Sequence, residues 1–226
     1  MRLFVAINIP DSVKDQLMGW RLSLRGARWV EPDQMHVTLA FLGEQPMNVY
    51  REVCDSLEGL EFAPFELRFQ SVDFFGGKKA PRILWADVCA SPELLTLQKK
   101  VSKHCRALGI KIELRRFRPH LTLARLDGVS FADLARSLET LYLARTDPFW
   151  IDSFQLFSSK LHPKGAVYRV EHHFLKGNSS CEPPKPARCL RAQPQRKEAL
   201  CTNPKLADRQ RHCAPFGWRS VILSVG

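Results

Sequence analysis

The chain has 226 residues, a formal charge of +11 from 34 Lys and Arg against 23 Asp and Glu, and 45% apolar residues. That is ordinary for a soluble folded protein with one sizeable core or two small lobes. No apolar run approaches the ~18 residues of a membrane helix, and the opening apolar stretch stops at Asn8, Pro10 and Asp11, too soon for a secretory leader.

In chain order, residues 3–9 read as a strand. Residues 10–24 read as a helix, with Asp11 and Ser12 as early caps and Val13, Leu17, Trp20 and Leu24 recurring on one face. Residues 35–42 follow as a strand and 48–57 as a helix. Residues 65–75 and 82–88 read as strands around a Gly76-Gly77 turn. Residues 92–108 form a helix with Leu94, Leu97, Val101 and Leu108 on its apolar side, ended by Gly109. A strand at 121–126, a helix at 131–143 and strands at 149–158 and 167–174 complete the body, the last two around His162-Pro163-Lys164-Gly165. Interleaved helices and hairpins predict an α+β fold with antiparallel or mixed sheets.

Composition shifts near Gly177. Residues 177–226 carry nine Lys and Arg, three acids and six prolines, with almost no apolar periodicity. Such a segment buries too little to offset its ordering entropy. A domain at 1–176 and a basic, disordered tail at 177–226 are therefore expected. Cys54, Cys89 and Cys105 read as small core residues of a reducing, cytoplasmic protein. The tail cysteines, Cys181, Cys189, Cys201 and Cys213, match no common zinc template, and no metal is expected.

The most informative feature is an internal repeat. Met35-His36-Val37-Thr38-Leu39-Ala40-Phe41-Leu42-Gly43 matches Pro119-His120-Leu121-Thr122-Leu123-Ala124-Arg125-Leu126-Asp127. Strand side chains alternate faces, so His36 shares a face with Thr38, and His120 with Thr122, opposite the aliphatics. Two lobes related by an approximate two-fold axis bring the pairs together over a central cleft, helices outside. Near neutral pH one imidazole can act as base while the other acts as acid. In-line displacement at phosphorus uses that arrangement, with hydroxyls and nearby arginines holding the non-bridging oxygens. Burying His and Thr together merely for packing would demand several hydrogen-bond partners on each strand.

Strict alternation turns Phe41 and Arg125 to the core side unless a bulge re-aims them. Phe41 therefore reads first as core and second as a base-stacking candidate. Arg125 is a phosphate candidate, since an unpaired buried guanidinium is costly. Arg118 is a candidate for the cleft rim, and Arg115-Arg116 for steering RNA. His104, His162, His172 and His173 read as structural, with at most one of the last two facing the cleft. Asp73 and Asp87 show no pairing that suggests carboxylate or metal chemistry, and no P-loop or dinucleotide fingerprint is present.

The two copies resemble the His-x-Thr signatures of the 2H phosphoesterase superfamily. More closely, the chain is similar to the RNA 2′,3′-cyclic phosphodiesterases, once called 2′-5′ RNA ligases. The similarity is carried by Arg2-Leu3-Phe4-Val5-Ala6-Ile7, the two repeats with Arg118, and Tyr168-Arg169-Val170, over roughly residues 1–176. It implies a bilobal fold and hydrolysis of an RNA 2′,3′-cyclic phosphate end to a 2′-phosphomonoester, without metal or nucleotide cofactor; a monomer is expected. Carried over, His36 is the proton donor and His120 the acceptor, while Thr38 and Thr122 hold phosphate oxygens. The residues alone leave the acid and base roles open. Two other functions stay open: ligation or cleavage of small cyclic or 2′-5′-linked nucleotides, and RNA binding without catalysis.

Overall fold

A strand, a helix, a motif strand and a second helix follow one another twice in this chain. The computed structural model describes residues 1–89, 91–113, 116–162 and 165–175. Arg115, the expected turn at Pro163-Lys164, and the 177–226 segment with its cysteines lie outside the described residues.

The first series runs β1 (Arg2–Asn8), α1 (Asp11–Met18), β3 (His36–Glu44) and α2 (Met47–Glu58), with a short strand β2 (Ala27–Trp29) between α1 and β3. The second runs β6 (Ala80–Val88), α3 (Pro92–Ala107), β7 (His120–Leu126) and α4 (Phe131–Thr140). Between them lie β4 (Phe65–Leu67) and β5 (Phe69–Gly77). After α4 come β8 (Phe149–Ile151), β9 (Ser153–His162) and β10 (Gly165–Leu175).

Two four-stranded sheets result, ordered β10-β9-β1-β3 and β2-β7-β6-β5, with β4 and β8 as a third, two-stranded sheet. All pairings among the described strands are antiparallel. Each motif strand thus lies beside the first strand of its own series: β3 on β1 and β7 on β6. The aliphatic sides of both sheets and all four helices share one core, including Val5, Val37, Leu39, Leu84, Leu121, Leu123 and Phe154. The described residues all fall in one compact unit, and β3 and β7 touch directly.

Several expected elements differ in detail. The runs 65–75 and 149–158 are each broken, at Arg68 and Asp152, where the chain passes from the third sheet into a main sheet. Apolar alternation continues across the first break through Phe65, Leu67 and Phe69, all buried, so periodicity alone does not mark it. The Gly76-Gly77 pair is still in β5, and the hairpin turns at Lys78-Lys79. Gly76 has φ +108, and a Cβ there would lie 2.5 Å from the Ala80 carbonyl oxygen, so the glycine is needed for a bulge rather than for the turn. Helix α1 ends at Met18 and α4 at Thr140, short of the expected 24 and 143. Trp20 and Leu24 are nonetheless buried, which is why they fitted the helical face. No side chain caps α1; Asp11 instead pairs with Lys14 at 2.9 Å. Among the described residues no helix is long and apolar enough to cross a membrane.

Candidate active site

The first strand of each series sets the geometry of its motif. Asn8 lies opposite His36 and Ala6 opposite Thr38. Asp87 lies opposite His120 and Trp85 opposite Thr122. Residues two apart on one strand share a face, as do cross-strand partners. His36 therefore sits with Thr38, and His120 with Thr122, as alternation predicts. Val37, Leu39, Leu121 and Leu123 are buried on the other side.

Phe41 and Arg125 depart from simple alternation, and for the same reason. The ladder skips Leu39: Ala6 pairs with Thr38, but Val5 pairs with Ala40 and Phe4 with Phe41. It skips Leu123 likewise: Trp85 pairs with Thr122, Leu84 with Ala124 and Ile83 with Arg125. Each motif strand carries a bulge at the same leucine, and the phase flips beyond it. Phe4 shares a face with Ala6, so Phe41 joins Thr38. Ile83 shares a face with Trp85, so Arg125 joins Thr122. The reading of Phe41 as a core residue is overturned: it is 66% exposed. Arg125 is exposed as well.

Both imidazoles are held in the same way. His36 Nδ1 lies 2.7 Å from the carbonyl oxygen of Gln34, and His120 Nδ1 lies 2.9 Å from that of Arg118. A carbonyl only accepts, so Nδ1 carries the hydrogen and donates it. Nε2 is then the nitrogen left for a substrate. The residue two before each histidine is itself pinned to a more distant strand. Gln34 Nε2 donates to the Ala166 carbonyl of β10 at 2.7 Å. Arg118 pairs with Asp73 of β5 at 3.2 Å and stacks its guanidinium 4.2 Å from the Trp85 ring. The Arg118 charge expected at the cleft rim is thus already partnered within the protein.

Aromatic rings wall each imidazole. His36 meets Phe4 at 4.9 Å, Tyr168 edge-on at 5.2 Å and Phe157 at 6.0 Å. His120 meets Phe75 edge-on at 5.0 Å and Trp85 at 5.8 Å. Burial in this apolar setting lowers the His36 pKa to about 4; the Gln34 carbonyl opposes the shift and the charge of His120 adds to it. The strands that carry the two rings, β3 and β7, touch each other. Burial also lowers His120, against the Arg118 carbonyl; the Arg118 guanidinium lowers it further and Asp87 raises it. Asp87 is itself raised, by burial above all, with Arg118 opposing. The hydroxyls of Thr38 and Thr122 are half-buried and have no partner among the described residues.

Sequence reasoning missed Gln34, Phe4, Phe157, Tyr168, Phe75 and Trp85 as parts of the site, and it dismissed Asp73 and Asp87. Their positions follow from pairing register, which one strand's pattern does not contain. Two of the other histidines tie elements together. His104 meets the Ser56 hydroxyl at 3.1 Å, tying α3 to α2. His172 pairs with Glu58 at 2.6 Å, tying β10 to α2. His173 lies opposite Gln155, which lies opposite Ala6, so it is on the His36 face.

A two-lobed antiparallel fold that presents equivalent faces on two motif strands is that of the 2H phosphoesterases. A sequence model of the LigT like Phosphoesterase family matches residues 7–85 and 87–168, and the chain belongs to that family. An Archaeoglobus fulgidus protein named RNA 2′,3′-cyclic phosphodiesterase is 30% identical, over 75% of this chain and 97% of that one. A Thermus thermophilus protein of the same name is 33% identical, over 80% and 94%. The crystal structure of a Thermus thermophilus protein superposes with a TM-score of 0.66 at 27% identity, covering 79% of this chain and all of that one. Escherichia coli LigT complexed with 3′-AMP gives 0.64 at 22% identity over 77% and 97%, a likeness of fold alone.

Proposed function

We propose that the chain hydrolyses the 2′,3′-cyclic phosphate at an RNA end to a 2′-phosphomonoester, using His36 and His120 and no metal. The observation that carries this is the repeated fixing of both imidazoles through Nδ1, which leaves each Nε2 available on a strand face that also bears an unpartnered threonine hydroxyl. The names of the relatives support the substrate class.

Water attacks phosphorus as the P–O3′ bond breaks. Following the family pattern, His120 Nε2 takes the proton from water, and His36 Nε2 gives one to the departing 3′-oxygen. In the free protein His36 is neutral at pH 7, given its pKa of about 4. An approaching phosphate anion favours the imidazolium, so the donor acquires its proton along with the substrate. Thr38 and Thr122 donate to the non-bridging oxygens, Arg125 adds positive charge, and Phe41 offers its exposed ring to a base. The walls of Phe4, Phe157, Tyr168, Phe75 and Trp85 keep the imidazoles from rotating. Arg118 acts mainly through its carbonyl on His120.

The test is to give the purified protein an oligoribonucleotide ending in a cyclic phosphate, with EDTA present, and to identify the product. A 2′-phosphate end is expected. Loss of turnover in EDTA, or a 3′-phosphate product, contradicts the proposal. Ligation of a cyclic end to a 5′-hydroxyl uses the same groups in reversed roles, and shows in the same assay as a 2′-5′-linked product. Tight binding without any turnover marks an RNA-binding protein instead.

A further inference from the structure

The second lobe has a feature the first lacks. Strand β3 is the outer edge of its sheet, whereas β7 is covered by β2. In that added pairing Arg28 lies directly opposite Arg125. Cross-strand partners share a face, so Arg28 lies on the Thr122 face, next to Arg125 and beyond it. Both guanidinium groups are exposed, and neither makes an ion pair or a hydrogen bond among the described residues. Asp127, two residues past Arg125, pairs with neither. Like charges directly opposite on neighbouring strands destabilise a sheet. Two uncompensated arginines side by side on the substrate face therefore form a place prepared for an anion, and the planar guanidinium suits a phosphate.

Position separates this anion from the reacting phosphate. Arg125 is about two pleats along β7 from Thr122, ~7 Å at ~3.3 Å per residue, because the bulge takes up one residue. Arg28 is one strand further out, another ~4.8 Å, on the side of β7 away from Trp85. We propose that Arg28, together with Arg125, binds the backbone phosphate one nucleotide inward from the cyclic end. The site then favours an RNA terminus over a free cyclic mononucleotide. The proposal rests on the hydrolytic reading above and deepens it by naming a second subsite.

The backbone supports such a role. Gly26, just before β2, has φ +87, and a Cβ there would lie 2.2 Å from the Asp127 carbonyl oxygen. The Gly26 carbonyl accepts from the Asp127 N–H at 2.8 Å. A glycine is needed for β2 to lie this close to the end of β7, which brings Arg28 level with Arg125.

The experiment compares a 2′,3′-cyclic mononucleotide, which has one phosphate, with a cyclic-ended dinucleotide, which has two. Wild type, Arg28→Ala and Arg28→Lys are assayed for kcat/KM and for equilibrium binding of both compounds. Arg28→Ala is expected to cut dinucleotide kcat/KM roughly 10-fold more than mononucleotide kcat/KM, the loss lying in KM. The slope of log K against log salt for the dinucleotide should become shallower, as expected when one cation–phosphate contact open to screening is lost. Arg28→Lys keeps the charge and β2, and should recover part of the preference and most of the slope. Equal losses on the two compounds, or none, overturn the subsite. Should wild type turn over neither compound, the hydrolytic reading fails, and the binding comparison still decides whether Arg28 recognises the second phosphate.

Discussion

The surroundings of the two motif histidines share a backbone and differ in charge. Around His36 the frame is neutral: Asn8 opposite the ring, Gln155 opposite Ala6, and the exposed Phe41 beyond the bulge. Around His120 the corresponding positions are Asp87, Asp73 and Arg125, with Arg118 and Arg28 added. The shared parts are the His-x-Thr face, the bulge at the leucine, and the donation from Nδ1 to the carbonyl two residues back. These are the parts that fix an imidazole. The differing parts are an exposed aromatic ring on one side and paired guanidinium groups on the other, which under the proposed function would meet a substrate with unlike ends. The repeated scaffold thus keeps the imidazole-fixing parts in both lobes and diverges in the charge around them.

The first way to break this comparison is to remove what the lobes share. Thr38→Val and Thr122→Val should each lower kcat by about 10²-fold with similar size, as expected for one lost donor to the transition state. A loss confined to one lobe would show that the hydroxyls are not equivalent. Next come the pins behind the histidines. Arg118→Ala removes the Asp73 pair and the Trp85 stack, and should lower kcat about 10-fold with little change in KM. Gln34→Ala removes one neutral hydrogen bond and should cost only a few-fold. The reverse order would contradict the charged-versus-neutral contrast. The differing positions should separate by salt: Arg125→Ala flattens the ionic-strength dependence of kcat/KM, whereas Phe41→Ala raises KM several-fold and leaves that dependence intact.

A further expected effect is on stability rather than on rate. An unfolded chain's histidine titrates near 6.5, while His36 in the fold titrates at about 4. Between those values the unfolded chain binds a proton that the native state does not. Stability is therefore lost as pH falls from about 6.5 to 4, and is indifferent to this group above 6.5. His36→Asn removes that component, so its Tm should drop less than wild type between pH 7 and pH 4.5. Equal drops would mean that the ring is not buried as described.

The catalytic candidates were legible in the sequence because a repeat of period-two strands puts His36 with Thr38 and His120 with Thr122 wherever the strands pack. The helices α2 and α3 were legible from their apolar periodicity. Phe41 was misjudged because a bulge leaves no mark on the strand that contains it; only the register with β1 reveals the skipped Leu39. The strand β2 was missed because three residues are too few to show a period, and with it went the placement of Arg28. Asp73 was set aside because its partner, Arg118, is 45 residues away in the chain. The third sheet was hidden because alternation runs unbroken from β4 into β5. In each case the missing information is which strand lies beside which.

The central claim is that His36 and His120 act as one couple on one phosphorus atom, and a double-mutant comparison tests it most directly. Rates on a cyclic-ended oligoribonucleotide would be measured for His36→Ala, His120→Ala and the double variant, in EDTA, with binding measured alongside. Each single substitution should lower kcat by about 10³-fold or more while binding weakens only modestly, and the double variant should be no worse than either single within a few-fold. A single variant that keeps a tenth of wild-type kcat, or losses that multiply in the double variant, would contradict it.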